Sequence, residues 1–126
     1  MLSSDTIRFV LLVASSMTFF GFALWAVFHP RSFAAVLGYD LKSSNAQSEF
    51  HAIYVGVFIG QGLLCFLAAS RISDAILGDL CAAFLLLQPC GRAVAMLRGH
   101  WPTGVLRILF LAEVLGGVAL LVVRPL

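Results

Sequence analysis

Two apolar stretches decide the fold, ILGDLCAAFLLLQPCGRAVAML at residues 76–97 and VLRILFLAEVLGGVALLVV at residues 105–123. Each is close to the length of about 20 residues that a helix needs to cross the hydrocarbon core of a bilayer. The first stretch nevertheless holds Arg92, and the second holds Glu113. A charge at the centre of a membrane helix costs about 2.5–3.5 kcal/mol on insertion scales. We therefore expect these two side chains to face inward and to neutralise each other.

The composition excludes a water-soluble domain. Only 11% of the 126 residues are charged, and this is too few to cover a water-facing surface, since soluble domains carry about 25%. Two further apolar runs lie at residues 7–28 and 50–70. Together with spans at 76–97 and 104–123, they predict one domain over residues 1–126. Its fold class is an all-α, antiparallel four-helix bundle that is integral to the membrane.

The connections between these spans differ in length. Residues 29–49 form the only long one, and within it the apolar residues 32–37 predict a short helix lying in the membrane interface. Residues 71–75 and 98–103 are short turns, so the second, third and fourth helices follow each other as antiparallel hairpins. We call the side that holds 29–49 and 98–103 the long-loop end, and the opposite side the short-turn end. Basic residues are divided too evenly between the two ends to predict an orientation.

Residues near the helix ends predict how those ends are capped. Ser48 is expected to cap the second helix and Ser73 the third, because a serine side chain can accept a hydrogen bond from a free backbone N–H. Asp79, near the start of the third helix, is expected to be solvated or to act as a cap.

Glycines mark candidate packing surfaces. Gly56 and Gly60 form a GxxxG step in the second span, and Gly116 and Gly117 thin one side of the fourth. Small residues allow two membrane helices to approach closely. These four glycines are therefore the predicted sites of helix packing.

Polar residues of three spans are predicted to converge in the half of the bundle near the long-loop end. At a rise of 1.5 Å per residue, Arg92 and Glu113 lie within about 5 Å of each other in depth. The predicted ligand pocket or buried polar network comprises Glu49, His51, Tyr54, Gln61, Gln88, Arg92 and Glu113. Two interpretations remain open: a small polar pocket that opens towards the long-loop end, or a network that holds the helices in register and binds nothing.

Other chemistries lack the residues they need. The three cysteines lie in apolar runs without a C-x-x-C pair, and the three histidines have no ligand spacing, so we expect neither a metal nor a cofactor. A net charge of +2 with scattered basic residues does not indicate nucleic-acid binding. An ion-paired Glu113 would be a poor general base, which leaves an intramembrane enzyme as the weakest hypothesis and any catalytic residue unassigned.

The second span also carries a recognisable pattern, EFHAIYVG at residues 49–56 followed by Gly60-Gln61-Gly62. With Gly91-Arg92 and Leu111-Ala112-Glu113, it resembles a bacterial family of small four-span membrane proteins that is defined as a domain of unknown function and is akin to DoxX-like proteins. The resemblance implies the four-span fold and the polar positions. Two residues depart from the pattern: His51 stands where the family tends to have arginine, and Val55 where it tends to have glycine.

Two functions follow as expectations. The first is a non-enzymatic membrane component that self-associates or joins a membrane complex, braced inside by Arg92 and Glu113. The second is a binder or carrier of a small lipid-soluble amphiphile, such as a quinone or a lipid, in the polar pocket. In both cases the surroundings are the lipid bilayer, and the expected location is a bacterial cytoplasmic membrane.

Overall fold

A computed structural model describes residues 3–125, which form five helices and, over that range, no strand. The helices are α1 (Ser4–Phe28), α2 (Pro30–Leu37), α3 (Ser44–Ser70), α4 (Ala75–Leu97) and α5 (Val105–Val122). All except α2 are long and apolar enough to cross a membrane. The predicted all-α fold with four membrane-crossing helices is therefore confirmed, and the protein is a multi-pass integral membrane protein.

The outside of the bundle is apolar, as expected of a surface that contacts lipid. Large hydrophobic side chains such as Phe28, Leu97 and Val122 are 70%, 88% and 77% exposed. Within each candidate span, less than a third of the residues are buried by the rest of the chain. A water-soluble helix would instead turn a polar face outward.

The helix ends correct two of the predicted caps. Helix α3 begins at Ser44, six residues before the predicted span, because the Ser43 hydroxyl accepts a hydrogen bond from the Ala46 N–H at 3.0 Å. Ser48 therefore lies inside the helix. Helix α4 is capped by Asp74, whose carboxylate accepts from the Ile76 N–H at 3.2 Å, and not by Ser73.

The predicted short helix in the first connection is present as α2. It begins at Pro30, two residues before the predicted apolar segment, because proline suits the first turn of a helix, where its missing N–H is not needed. It ends at Gly38, whose φ of 85° is the left-handed conformation that glycine adopts without strain. Phe33 and Leu37 are buried against α1, α3 and α5, so α2 covers the long-loop end of the bundle.

The four long helices form two pairs. Helix α1 packs along α3, and α4 packs along α5. The pairs contact each other mainly towards the short-turn end, where the Phe58–Ser70 half of α3 meets α4 and the fully buried Leu12 and Leu120 share one cluster. Towards the long-loop end the pairs separate, and α2 lies across the gap between them.

An ionic cluster ties the two pairs together at the short-turn end. The fully buried Arg8 guanidinium donates hydrogen bonds to the carbonyls of Leu120 and Ala75, at 2.6 Å and 3.1 Å, and to the Asp79 carboxylate at 3.4 Å. Asp79 also accepts from Arg124 Nε at 2.7 Å. The expectation of a merely solvated or capping Asp79 is therefore wrong, because both arginines reach it from other helix ends.

Candidate functional site

The space between the two helix pairs is a cavity of about 440 Å³ in the half near the long-loop end. That volume falls within the roughly 300–1,000 Å³ of small-molecule sites in proteins. Apolar and aromatic side chains form most of its wall, and five polar residues that the sequence predicted also line it: Tyr54, Gln61, Gln88, Arg92 and Glu113.

The cavity is partly open to the outside of the bundle. On one side its wall includes Ile53 and Val57 of α3 and Phe84 of α4, each between 43% and 47% exposed. On the other side the wall includes the exposed residues Thr18 of α1 and Ala112 of α5. All of these exposed wall residues belong to membrane-crossing helices, so the cavity lies at the level of the membrane spans.

Arg92 of α4 and Glu113 of α5 form an ion pair on the cavity wall. Arg92 Nη2 donates to Glu113 Oε1 at 3.2 Å, and Arg92 Nε donates to Glu113 Oε2 at 3.4 Å. The two side chains are 25% and 11% exposed, and both line the cavity. These distances exceed the 2.7–2.9 Å usual for charged N–H···O bonds, so the pair is side-on and loosely held.

A second polar contact spans the gap between the helix pairs. Gln88 of α4 donates from Nε2 to Oε1 of Gln61 in α3 at 3.3 Å. Gln61 is buried, yet it belongs to the cavity wall, as does Gln88. The two amides therefore sit on the polar side of the cavity, with the ion pair.

Tyr54 lies on a stretch of α3 that is wound as a π-helix, from Ala52 to Val57. Such wide turns insert one residue into an α-helix and are frequent at functional sites. The Tyr54 ring packs against Phe33 and Phe58, with centroids 5.4 Å and 5.1 Å away, and its hydroxyl donates to the Tyr39 hydroxyl at 3.2 Å. The sequence predicted the position of Tyr54 in the site but not this local winding.

Glu49 and His51 are not among the residues that line the cavity. Glu49 is exposed. His51 is half-buried, and its Nδ1 lies 2.7 Å from the Gln47 carbonyl, to which it donates. Both residues precede the π-helical turn, and its wider winding changes their direction relative to Gln61, which follows the turn.

The four predicted packing glycines fall into different surroundings. A Cβ on Gly117 would come within 2.5 Å of the Leu86 side chain, so α4 and α5 approach closely there. Gly116, one residue earlier, lines the cavity. Gly56 and Gly60 face outward, with no atom of another helix in the described chain within 4 Å of a Cβ built on either.

Several residues of the site and its supports were missed in the sequence. Phe33 and Leu37 of α2 close the cavity at the long-loop end, although α2 was predicted only to lie in the interface. At the other end, Arg8 carries no sequence signal of burial, because an arginine just inside a membrane helix normally reaches water. Gly78 makes room for the Arg8 guanidinium, since a Cβ on Gly78 would overlap it. The sequence alone does not connect this glycine with Arg8.

The site offers hydrogen bonds and apolar contact rather than an evident reaction. Its polar groups are two amides, a phenol, the hydroxyls of Ser15 and Thr18, and a mutually neutralised ion pair. No group of three or more His, Cys, Asp or Glu residues positioned to hold a metal ion occurs within residues 3–125. The buried thiols of Cys65 and Cys81 lie in the core at the short-turn side of the cavity.

Comparison with known proteins identifies a family without an assigned activity. No curated protein and no solved structure matches the chain. One family profile, described as a domain of unknown function (DUF4345), matches residues 7–124. The match covers every residue of the cavity and all four membrane-crossing helices except the first three residues of α1. The chain therefore belongs to the DUF4345 family.

Proposed function

We propose that the protein binds one small amphiphile, such as a quinone or a lipid, in the cavity between its two helix pairs. One observation carries the proposal: a partly open cavity with mostly apolar walls and a polar side lies among the membrane-crossing helices. A lipid-soluble molecule can reach such a site without leaving the membrane. Its polar head would lie near Arg92 and Gln61, with its apolar part along the aromatic wall.

The size of the cavity favours binding over a purely structural network. Protein interiors are close-packed, and a single buried water needs only about 10–15 Å³. An Arg92–Glu113 pair that served only as a brace would gain from side chains packed closely around it. A space of about 440 Å³ beside the pair instead leaves room for a molecule of drug-like size.

Native mass spectrometry on the protein extracted from membranes tests this proposal. We expect a species with one retained lipid-soluble molecule. Gly116→Leu should abolish retention, because Gly116 lines the cavity and a leucine side chain there would occupy the space of the ligand. Gly91→Leu is the control and should retain the molecule, since Gly91 is an exposed helical glycine that does not line the cavity. An empty wild-type protein, or equal retention by both variants, would contradict the proposal.

Self-association is a second candidate function, favoured by the outward position of Gly56 and Gly60. Both glycines lie on an apolar helix face that no other part of the described chain covers, and their spacing suits close contact between two membrane helices. Gly60→Leu should then reduce dimers in single-molecule photobleaching, with Gly91→Leu as the matched control. Unchanged dimer content in Gly60→Leu would remove this candidate.

We infer that the location is a bacterial cytoplasmic membrane. The inference depends on the resemblance of the second, third and fourth spans to a bacterial family. Fractionation of the native host should recover the protein with the inner membrane, and recovery in another membrane would contradict the inference.

A further inference from the structure

We propose that the head group of the bound amphiphile is uncharged and carries both a hydrogen-bond donor and an acceptor. A glycerol, an alcohol or an amide has this chemistry, whereas a phosphate, a carboxylate or an ammonium does not. The inference rests on the proposed function, because it specifies which amphiphile the same cavity takes.

The first argument is the charge of the cavity wall. Arg92 and Glu113 are its charged residues, and each is satisfied by the other. The wall therefore carries no net charge. An ionic head group entering this apolar space would lose its hydration and would find no free counter-charge unless it broke the pair.

The second argument is the set of hydrogen-bonding atoms that remain. Within the described chain, the Gln61–Gln88 contact uses Oε1 of Gln61 and Nε2 of Gln88, which leaves Nε2 of Gln61 and Oε1 of Gln88 without a protein partner. Both of these amide atoms are accessible. Among the described residues, Arg8 Nε is the fully buried side-chain N or O atom that lacks a hydrogen-bond partner, so the unpaired amide atoms are not fully buried. The free amide atoms are therefore reachable, one as a donor and the other as an acceptor.

The guanidinium of Arg92 adds donors on the same side. An arginine has five N–H groups, and Glu113 accepts from two of them at the distances given above. The remaining donors can bond to a neutral oxygen while the carboxylate continues to balance the charge. An uncharged hydroxyl or carbonyl thus gains hydrogen bonds at this site without displacing Glu113.

The position of the cavity agrees with a neutral head group. The exposed residues of its wall belong to membrane-crossing helices, so the cavity lies at membrane depth. A permanently charged head stays near the membrane surface, because a charge at membrane depth is costly. An uncharged amphiphile can move to that depth and enter sideways.

The test compares three twelve-carbon amphiphiles that carry the same diazirine in the chain and differ in the head group. One is a monoacylglycerol, one an alkyl sulfonate and one an alkyl trimethylammonium. The protein is reconstituted in phosphatidylcholine nanodiscs and irradiated, and labelling above the level of Gly116→Leu is measured by mass spectrometry. We expect the monoacylglycerol to label wild type at least tenfold more than either charged probe.

Charge variants at the pair make the test specific. Glu113→Gln leaves an uncompensated Arg92 and should raise labelling by the sulfonate about tenfold. Arg92→Gln with Glu113→Gln should restore the preference for the neutral probe. A factor of ten corresponds to about 1.4 kcal/mol, the scale of a charged hydrogen bond.

The outcomes separate the two proposals. Equal or stronger labelling of wild type by a charged probe, or an unchanged probe preference in the single variant Glu113→Gln, would overturn the neutral head group while leaving amphiphile binding in place. Absence of labelling by all three probes above the Gly116→Leu level would overturn both.

Discussion

Removing the charges of Arg92 and Glu113 singly and together measures what holds the cavity wall in place. Arg92→Leu leaves Glu113, 11% exposed, without its partner, and Glu113→Leu leaves Arg92, 25% exposed. Breaking a buried pair costs about 3–5 kcal/mol, and the access of both groups to the cavity favours values at or below the lower end of that range. We expect about 3 kcal/mol for Arg92→Leu and about 2 kcal/mol for Glu113→Leu, because the longer arginine side chain can reach towards the membrane surface.

The double variant carries the decisive information. With both charges gone, no unpaired charge remains in the membrane, so we expect a loss of less than about 1 kcal/mol. The interaction energy of the cycle would then be about 4 kcal/mol. Unfolding in mixed micelles with increasing dodecyl sulfate, followed by circular dichroism, supplies the free energies. A double variant destabilised by the sum of the two single losses would refute the reasoning, because additivity means that the groups do not interact.

Three further predictions concern packing and use the same unfolding assay. Gly78→Ala should cost at least about 3 kcal/mol, because its Cβ would overlap the Arg8 guanidinium. Two hydrogen bonds to backbone carbonyls hold that guanidinium in place. A neutral effect would contradict the burial of Arg8. Gly117→Ala should cost about 1–3 kcal/mol, because the new Cβ meets the Leu86 side chain. Combining it with Leu86→Ala should recover part of that loss, so the double variant should be more stable than the sum of the two single losses predicts. A double variant less stable than that sum would exclude the close approach. Phe33→Ala should cost about 3–5 kcal/mol, because the ring is 1% exposed and packs against four other aromatic rings. A loss below about 1 kcal/mol would show that α2 does not cover the cavity.

The sequence predicts the fold and the ion pair well because both follow from depth in a membrane. An apolar run of about 20 residues has few alternatives to a spanning helix. Arg92 lies six residues before Arg98 and Glu113 nine residues after Gly104, and both counts start from the same end of the bundle. A fixed rise per residue therefore brings the two side chains to similar depths.

The rotation of residues about the helix axis is harder to predict. The π-helical turn at Ala52–Val57 adds one residue to the winding of α3. Extrapolating the α-helical face from Gln61 back to His51 therefore leaves this wider winding out. No residue type in AIYVGV indicates such a turn, because the hydrophobic pattern does not encode the local winding.

Contacts between distant segments are harder still. Arg8 bonds to carbonyls 67 and 112 residues away in the chain, and a carbonyl is present at every position. Its burial therefore leaves no pattern in the sequence. The spacing of Gly56 and Gly60 is ambiguous in a related way. It indicates that another helix can pack closely against α3, but it does not identify that helix.

A structure of the protein in lipid nanodiscs, at a resolution that shows side chains, tests the central claim most directly. We predict one elongated density between the helix pairs, with one end within hydrogen-bond distance of Arg92 and Gln61 and the other along the aromatic wall. Closed helix pairs that leave no space beside the ion pair, or a cavity that contains only water, would contradict it.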